Sequence, residues 1–249
     1  MDHEVGFRLL EKMIECAAEG RIAIAAVVTT SENGQQWWPG VEGLCRDHAI
    51  PFHRYSSLTS DITRLGAVDW FFLLSWKHVL PENLVNYPAN GTINLHYSLL
   101  PDFRGVYPVN WSLIDGWKET GVTFHRVVKE IDAGAILLQG RISILASDTA
   151  RSLQLRLDDL ACELFDQLLH DVAGGEVPSG YVVAQAGSYK SGASFKAVCC
   201  LDRDKVYRAG ELIDLLRGMS FRPESRNLYF IDEGSGRRVY LRLELFEDE

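Results

Sequence analysis

The strongest constraint on the fold is an alternation of strand-like and helix-like segments up to residue 173. Ile22–Val28 and Asp69–Ser75 are continuous apolar runs, which are typical of buried parallel strands. Residues 4–19 carry apolar side chains at helical spacing and end at Gly20. A longer helix is expected to begin at a cap on Asp148. This alternation predicts an α/β domain with a Rossmann-like, largely parallel sheet.

The other expected elements are shorter. They are helices over 39–48 and 108–115, a short helix opened by Pro81, and strands over Thr92–Leu95, Val122–Val127 and Ala135–Ile142. Gly174-Gly175 and Pro178 are expected to end the long helix. The chain then divides into a first domain over 1–178, a linker or loop over 179–206 and a small subdomain over 207–249. That subdomain is predicted to hold a helix, Ala209–Gly218, and a hairpin of Asn227–Ile231 with Arg237–Leu245.

The start of the pattern is unusual, because an open sheet of this kind normally begins with a strand. Here the first element is the helix over 4–19, so a first strand is expected to be missing. Its loss would leave backbone groups and apolar surface uncovered in the middle of the sheet.

Charge and cysteine content limit the partners. The formal net charge of −9 disfavours nucleic acid as a partner, since phosphate binding requires Lys and Arg. The five cysteines lack the spacing of a metal site and are expected to be reduced thiols in the cytosol. No apolar run approaches the ~20 residues of a membrane span, and the acidic first residues contain no signal core. These features predict a cytoplasmic protein without a metal.

The densest group of chemically useful residues lies in 91–105. Asn94 and His96 are two residues apart on a predicted strand, so their side chains project to the same face. They stand at the carboxyl end of that strand, where open α/β sheets bind ligands. Taken alone, the pair is also compatible with ordinary polar residues at a strand end. Asp132, in a turn between two strands, offers a carboxylate but is by itself also a common turn residue.

Two blocks together resemble the 10-formyltetrahydrofolate-dependent formyltransferases. The first is Asn-x-His-x-Ser-Leu-Leu-Pro over 94–101, followed by Arg104-Gly105, and the second is Glu119 to Thr123 leading to 132–136. The resemblance covers about residues 5–175. It implies a formyltransferase fold with 10-formyltetrahydrofolate as co-substrate, and Asn94, His96 and Asp132 as the catalytic residues.

The resemblance also implies two sets of binding residues. The folate pocket would be lined largely by backbone groups of Trp76, Lys77, His78, Val79, Leu80, Val127, Val128, Glu130 and Ile131. The acceptor would contact Ser98, Arg104, Gly105, Tyr107, Pro108 and Trp111. Ser98 and Arg104 are equally compatible with structural roles, and Trp111 with a core position.

The chemistry agrees with these residue types. Attack of an amine on a formyl carbon creates an oxyanion, to which an Asn94 amide N–H can donate. An imidazole has an ordinary pKa of about 6.5 and can exchange protons near neutrality, and Asp132 could orient that of His96. Whether His96 acts mainly as a base or as an oxyanion stabiliser stays open.

Within the family, the chain is most similar to enzymes that formylate nucleotide-linked amino sugars, which implies a place in lipopolysaccharide or O-antigen biosynthesis. The similarity lies in 104–111, in 123–129 and in the short tail. A methionyl-tRNA formyltransferase-like enzyme, a formyl hydrolase and an inactive folate-binding remnant are the alternatives. The tail hairpin is compatible with a homodimer.

Overall fold

The computed structural model describes residues 3–30, 40–58, 62–176, 179–184, 187–221 and 227–246. Its helices are α1 (His3–Ala18), α2 (Val41–Asp47), α3 (Tyr55–Leu58), α4 (Glu82–Val85), α5 (Pro108–Ile114), α6 (Ala150–Ala173), α7 (Gly192–Val198) and α8 (Ala209–Gly218), with a 3-10 turn over Ile62–Leu65. Its strands are β1 (Val27–Thr29), β2 (Phe52–Arg54), β3 (Phe71–Leu73), β4 (Thr92–His96), β5 (Arg104–Gly105), β6 (Glu119–Arg126), β7 (Ile136–Ser143), β8 (Tyr189–Lys190), β9 (Tyr229–Ile231) and β10 (Arg238–Tyr240).

The fold is mixed α/β, as predicted. The main sheet has the strand order β3-β4-β6-β7, and β3 pairs with β4 in parallel. The N–H of Arg126 donates to the carbonyl of Ala135 at 2.8 Å, so β7 returns antiparallel to β6 after the intervening turn. β1 and β2 form a separate parallel pair, and β9 and β10 form the predicted antiparallel hairpin.

The chain forms two compact units. The first comprises Met1–His96, Phe124–Leu138 and Ala161–Val182, and the second comprises Tyr97–Thr123, Gln139–Leu160 and Val183–Glu249. The core of the first unit contains the fully buried side chains of Leu9, Leu10, Ile93, Phe124, Phe165 and Leu168. That of the second contains Leu113, Leu153, Leu157, Met219 and Leu228.

Two predicted strands are shorter and less buried than their sequences indicate. Of Ile22–Val28, only the end enters a strand, and Ala23 and Ala25 are exposed. Of Asp69–Ser75, only Phe71–Leu73 is a strand, and all three residues are half-buried. The prediction of two buried strands was therefore wrong in extent. The physical reason is that β1 and β3 lie at the edges of different sheets, so among the described residues neither has a strand on its second side.

The cap of the longest helix is also different from the prediction. Thr149, not Asp148, caps α6: its Oγ1 accepts from the N–H of Ser152, whose Oγ accepts from the N–H of Thr149. Asp148 instead accepts from Arg156 and from the N–H of Leu145. The buried carboxylate is thus neutralised by Arg156, and the neighbouring hydroxyl takes over the cap.

The predicted linker or loop over 179–206 contains two elements. β8 pairs in parallel with β5, and α7 is capped by Ser191, whose Oγ accepts from the N–H of Ser194. Phe195 of α7 stacks on Tyr107 with ring centroids 4.1 Å apart. The glycine- and serine-rich composition does not predict these two elements, because contacts with distant residues, rather than local propensity, fix them.

The remaining elements agree with the sequence. The positions of α1, α2, α4, α5, α8 and the hairpin are confirmed within a few residues. Gly175 takes the left-handed conformation just after α6. All five cysteines are free thiols, of which Cys200 alone is exposed. Burial raises the pKa of the Cys45 thiol to about 11. Among the helices of the described residues, none is both long and apolar enough to cross a bilayer.

Candidate active site

β4 carries the two residues that the sequence singles out first. Asn94 and His96 occupy alternate positions of the strand, so their side chains share one face as predicted. Asn94 is half-buried, and His96 is only 6% exposed to solvent. The neighbours Ile93 and Leu95 are buried on the opposite face. The alternation thus directs the apolar side chains into the core and the two polar ones to the site.

The turn between β6 and β7 brings a carboxylate to this face. Asp132 has a left-handed backbone (φ 51°), which Asp tolerates better than most residues. Its Oδ2 lies 3.6 Å from Nδ1 of His96, and its side chain is only 12% exposed. Gly134 passes so close to Arg126 that a Cβ there would stand 1.8 Å from the Arg126 carbonyl oxygen. The turn can therefore close only with glycine at 134.

His125 is a member of the cluster that sequence reasoning missed. It is 1% exposed, and its Nε2 lies 3.1 Å from the Asn94 amide nitrogen and 3.5 Å from Oδ1 of Asp132. Its Nδ1 lies 2.9 Å from the carbonyl oxygen of Arg126 and must donate to it. In the neutral ring Nε2 is then an acceptor, and it takes one N–H of Asn94. The available signal was a histidine near the end of a strand adjacent to β4.

These contacts define a candidate catalytic cluster, which consists of Asn94, His96, His125 and Asp132. An asparagine amide has two N–H donors, and His125 occupies one of them, which fixes the amide and leaves the second for another acceptor. Asp132 can stabilise a protonated His96. The cluster therefore combines a neutral hydrogen-bond donor with a group that can accept and return a proton.

No group of three or more histidine, cysteine or acidic side chains is arranged to hold a metal ion within the described ranges. The cluster itself contains two imidazoles and one carboxylate, with nitrogen–oxygen separations of 3.5 and 3.6 Å. Proton transfer and hydrogen bonding are the chemistry that this geometry offers.

The two segments predicted to hold folate both lie in the first unit and both present apolar side chains to solvent. Val79 is 75% exposed, and Val128 and Ile131 are also exposed. Trp76 packs edge-on against Tyr55, and its buried Nε1 has no hydrogen-bond partner among the described residues. Lys77 and His78 are exposed, while Leu80 is half-buried and lines a cavity with Trp76. Of the other predicted residues, Val127 is half-buried and Glu130 is exposed.

The predicted acceptor residues lie in the second unit. Ser98 is fully buried and its Oγ donates to the carbonyl of Asp102 at 2.6 Å, which favours the structural role. Arg104 is half-buried, and its Nε has no partner among the described atoms. Gly105 approaches the Lys190 carbonyl so closely that a Cβ would stand 2.3 Å from the oxygen.

The helix that follows completes this segment. Tyr107 has a left-handed backbone and is 48% exposed, and Pro108 is the first residue of α5. Trp111 is buried, with Nζ of Lys190 4.0 Å from its ring centroid and an indole N–H that no described residue accepts. The structure thus supports the core position for Trp111. The indole nitrogen of Trp111 and Nε of Arg104 have no hydrogen-bond partner among the described residues.

The sequence matches two family profiles. One, described as formyl transferase, matches residues 50–169, and the other, described as the dimerization C-terminal domain of N-formyltransferases, matches residues 194–247. The chain is similar to formyltransferases over both of these segments. It is an enzyme that transfers formyl groups, and the predicted family resemblance is confirmed.

Solved structures agree with this assignment. A 4-N formyltransferase from Francisella tularensis is 29% identical, with 83% of this chain and 82% of that chain covered and a TM-score of 0.71. A sugar N-formyltransferase from a Shewanella species is 23% identical over 100% of this chain and 96% of that one (TM-score 0.80). An N-formyltransferase from Helicobacter canadensis, in complex with folinic acid and dTDP-3-aminofucose, is 17% identical, with 88% of this chain and 78% of that chain covered and a TM-score of 0.67. The last two establish the fold.

The close approach at Gly134 yields a prediction. Gly134→Ala places a methyl group against the Arg126 carbonyl, so the turn must open and move Asp132 away from His96 and His125. We expect turnover to fall at least about tenfold and the protein to lose on the order of 1–3 kcal/mol of stability. Turnover and thermal melting are measured on the same samples.

Gly210→Ala is the matched control, because nothing lies within 4 Å of a Cβ at this position in the first turn of α8. It should leave turnover unchanged and stability equal or slightly higher. Wild-type turnover in Gly134→Ala would contradict the role of the turn geometry.

Proposed function

We propose that the enzyme transfers the formyl group of 10-formyltetrahydrofolate to the primary amine of a nucleotide-linked amino sugar. The observation that carries the proposal is the catalytic cluster, in which the Asn94 amide, the His96 imidazole and the Asp132 carboxylate converge in a chain of this family. The relatives with solved structures support the substrate class, since they include sugar N-formyltransferases and one complex with folinic acid and a dTDP-linked amino sugar.

The reaction forms a C–N bond between the amine and the formyl carbon and breaks the bond from that carbon to N10 of the folate. The amine must lose a proton, and N10 must gain one. His96 accepts the proton of the attacking amine and returns it to N10, and the nearby Asp132 stabilises the imidazolium between the two steps. The proton count therefore balances without another reactant.

Asn94 acts on the oxygen of the formyl group. One amide N–H is held by His125, and the second donates to the oxyanion that develops as the amine attacks. Because His125 keeps Nε2 as an acceptor through the bond from Nδ1 to the Arg126 carbonyl, the amide cannot rotate to present its own oxygen instead. His125 is thus a positioning residue, and Asn94 is the donor.

The folate would contact Trp76, Lys77, His78, Val79 and Leu80 from one side and the loop that contains Val127, Val128, Glu130 and Ile131 from the other. Two features of these segments fit a pterin ring. The exposed apolar side chains of Val79, Val128 and Ile131 would be covered by it, and the unpartnered Nε1 of Trp76 offers a donor to a polar ring atom.

The acceptor would contact Arg104, Gly105, Tyr107, Pro108 and Trp111, with Ser98 supporting the loop. A nucleotide diphosphate requires cationic and hydrogen-bonding groups. The unpartnered Nε of Arg104 is such a group, and the exposed ring of Tyr107 offers a stacking surface for a base.

The quaternary and cellular context follows the same reasoning. We infer a homodimer formed through the C-terminal segment, because the matched profile is that of a dimerization domain and Ile231 and Val239 expose apolar surface on the hairpin.

The free, adjacent thiols Cys199 and Cys200 favour the reducing cytoplasm.

The substrate proposal is tested with purified enzyme, 10-formyltetrahydrofolate and a panel of nucleotide-linked amino sugars, by following tetrahydrofolate formation and the mass of the sugar product. We expect turnover with at least one amino sugar and none with its N-acetylated form. Turnover with charged methionyl-tRNA alone would instead establish the tRNA activity. Acceptor-independent release of formate would indicate a hydrolase, and folate binding without product a remnant.

Replacement of His96 separates chemistry from binding. His96→Ala should lower turnover by about 10²–10⁴, the usual effect of losing a general acid–base group. Folate affinity, measured by calorimetry, should change little, because the folate contacts are expected to be largely backbone groups. His170→Ala, at an exposed position near the end of α6, is the control and should match wild type. A drop of less than tenfold would remove His96 from the mechanism.

Replacement of Asn94 tests the oxyanion contact. Asn94→Ala should lower turnover by on the order of 10²–10³, equivalent to ~3–4 kcal/mol, with a much smaller change in the Michaelis constant. Asn94→Asp should be at least as harmful, because a carboxylate of similar size brings negative charge and no donor. If Asn94 only supports the strand end, both variants will melt earlier but keep near-normal turnover per folded molecule.

A further inference from the structure

The segment formed by β8 and α7 lies beside the predicted acceptor residues, although none of its own residues takes part in the chemistry described so far. The N–H of Arg104 donates to the carbonyl of Ser188 at 2.9 Å, and the N–H of Val106 donates to that of Lys190 at 3.0 Å, so β8 runs along β5. α7 begins almost directly after β8, and α5 shortly after β5. The pairing of the two strands therefore brings α7 to the start of α5.

Phe195 of α7 packs against two aromatic side chains of the acceptor segment. Its ring is stacked on that of Tyr107, with centroids 4.1 Å apart and planes inclined by 25°. It meets the ring of Trp111 edge-on, with a centroid separation of 6.0 Å. Both arrangements are among those that aromatic pairs favour. Because Trp111 is buried, it gives Phe195 a fixed support, and Phe195 in turn supports Tyr107 from one side.

Lys190 fixes the same segment to α5. Its Nζ lies 2.6 Å from Oδ2 of Asp115, which follows α5, and 4.0 Å from the centroid of the Trp111 ring. An ammonium that is both paired and stacked on a buried indole is held more firmly than a cation in an exposed pair. Lys190 is thus an anchor that keeps α7 beside α5, and Phe195 keeps its contact with Tyr107.

Tyr107 has a conformation and an exposure that packing alone does not require. Its left-handed backbone (φ 58°) is uncommon for a bulky side chain, and such residues cluster at ligand-binding positions. Phe195 covers one face of the ring, yet Tyr107 is 48% exposed, so the other face is open to solvent. In the same segment, Nε of Arg104 and Nε1 of Trp111 have no partner among the described residues. A supported, open aromatic face near such donors suits a ligand that joins a flat heterocycle to anionic groups.

We propose that Tyr107 and Phe195 form a base-stacking platform. The base of the acceptor nucleotide stacks on the open face of Tyr107, and Phe195 is the positioning residue that holds this ring from behind. The inference rests on the proposed function, because it concerns the nucleotide end of the same acceptor. Since every base has a flat face, the platform selects nucleotide-linked acceptors over sugar phosphates without choosing among bases.

The first experiment measures binding by calorimetry in the absence of folate, so it needs no formyl transfer. The probes are thymidine diphosphate, uridine diphosphate and inorganic pyrophosphate, which has no base. Tyr107→Leu and Tyr107→Phe make the same demand on the backbone but differ in the ring. Tyr107→Leu should weaken nucleoside diphosphate binding at least about tenfold, whereas Tyr107→Phe should stay within about twofold of wild type. Pyrophosphate should bind equally well to all three proteins.

Replacement of Phe195 tests its action through Tyr107. Phe195→Leu keeps most of the apolar volume and should weaken nucleoside diphosphate binding by about three- to tenfold, whereas Phe195→Tyr keeps the ring and should bind as wild type does. Lys196→Ala, at an exposed position of α7, is the matched control and should also bind as wild type does. In the Tyr107→Leu protein, Phe195→Leu should have no further effect. A purely structural role of Phe195 would give the same loss in both backgrounds and for pyrophosphate.

Turnover provides an independent measurement. With an accepted nucleotide-linked amino sugar, Phe195→Leu should raise the acceptor KM by the same factor and leave kcat nearly unchanged, because the stacked base is bound equally in the ground and transition states. Base-dependent binding that follows Tyr107 and Phe195, without turnover of any amino sugar, would support the platform and contradict the proposed function.

Three results would overturn the platform. One is wild-type affinity for nucleoside diphosphates in Tyr107→Leu and Phe195→Leu, or an equal loss for pyrophosphate. Another is an absence of nucleoside diphosphate binding to the wild-type protein at about 1 mM. The third is a raised acceptor KM in Phe195→Leu with unchanged nucleoside diphosphate affinity, which would assign the face of Tyr107 to the sugar ring.

Discussion

The geometry of the candidate active site depends on the close approach of Gly134 to the carbonyl of Arg126. Only this approach lets the turn between β6 and β7 close tightly enough for Asp132, in its left-handed conformation, to reach both imidazoles of the cluster. The same carbonyl accepts a hydrogen bond from Nδ1 of His125. A single backbone oxygen thus sets the distance of the carboxylate and the tautomer of His125, and through His125 the orientation of Asn94. Burial lowers the pKa of the Arg126 guanidinium, whose bond to the Asn90 carbonyl ties this turn to the start of β4.

The loop after β4 is held by a second set of bonds, centred on Thr123. Its hydroxyl donates to the carbonyl of Ser98 at 2.6 Å and accepts from Gln139, which also donates to the carbonyl of Leu100. All of these groups belong to the second unit. The shared motif therefore has two parts: Asn94 and His96 belong to the proposed catalytic cluster, whereas Ser98 and its neighbours shape the loop. This explains why Ser98, although inside the motif, is already committed to Asp102.

The sequence predicted the elements whose signals are local and missed those that depend on distant partners. The period of two along β4 placed Asn94 and His96 on one face, and helical spacing ending at Gly218 gave α8. Thr149 caps α6 because Asp148 is hydrogen-bonded to Arg156, which lies two turns further along the chain. His125 was missed because its role arises from a neighbouring strand. The apolar run Ile22–Val28 predicts a buried strand, because hydrophobicity indicates what environment a segment prefers, whereas burial also requires a neighbouring strand on each side.

The edge strand β3 and the interior strand β4 support different parts of the candidate site. β4 lies between β3 and β6, so the backbone that carries Asn94 and His96 has partners on both sides. β3 is paired only with β4, and the segment from Trp76 to Leu80 follows directly from its end, with Trp76 and Leu80 lining the cavity. Looseness at the free edge of β3 would therefore reach the segment proposed to bind folate before it reached the proposed catalytic cluster. Under the proposed function, folate affinity and proton transfer would for this reason be separable: the first would depend on an edge strand and the second on an interior one.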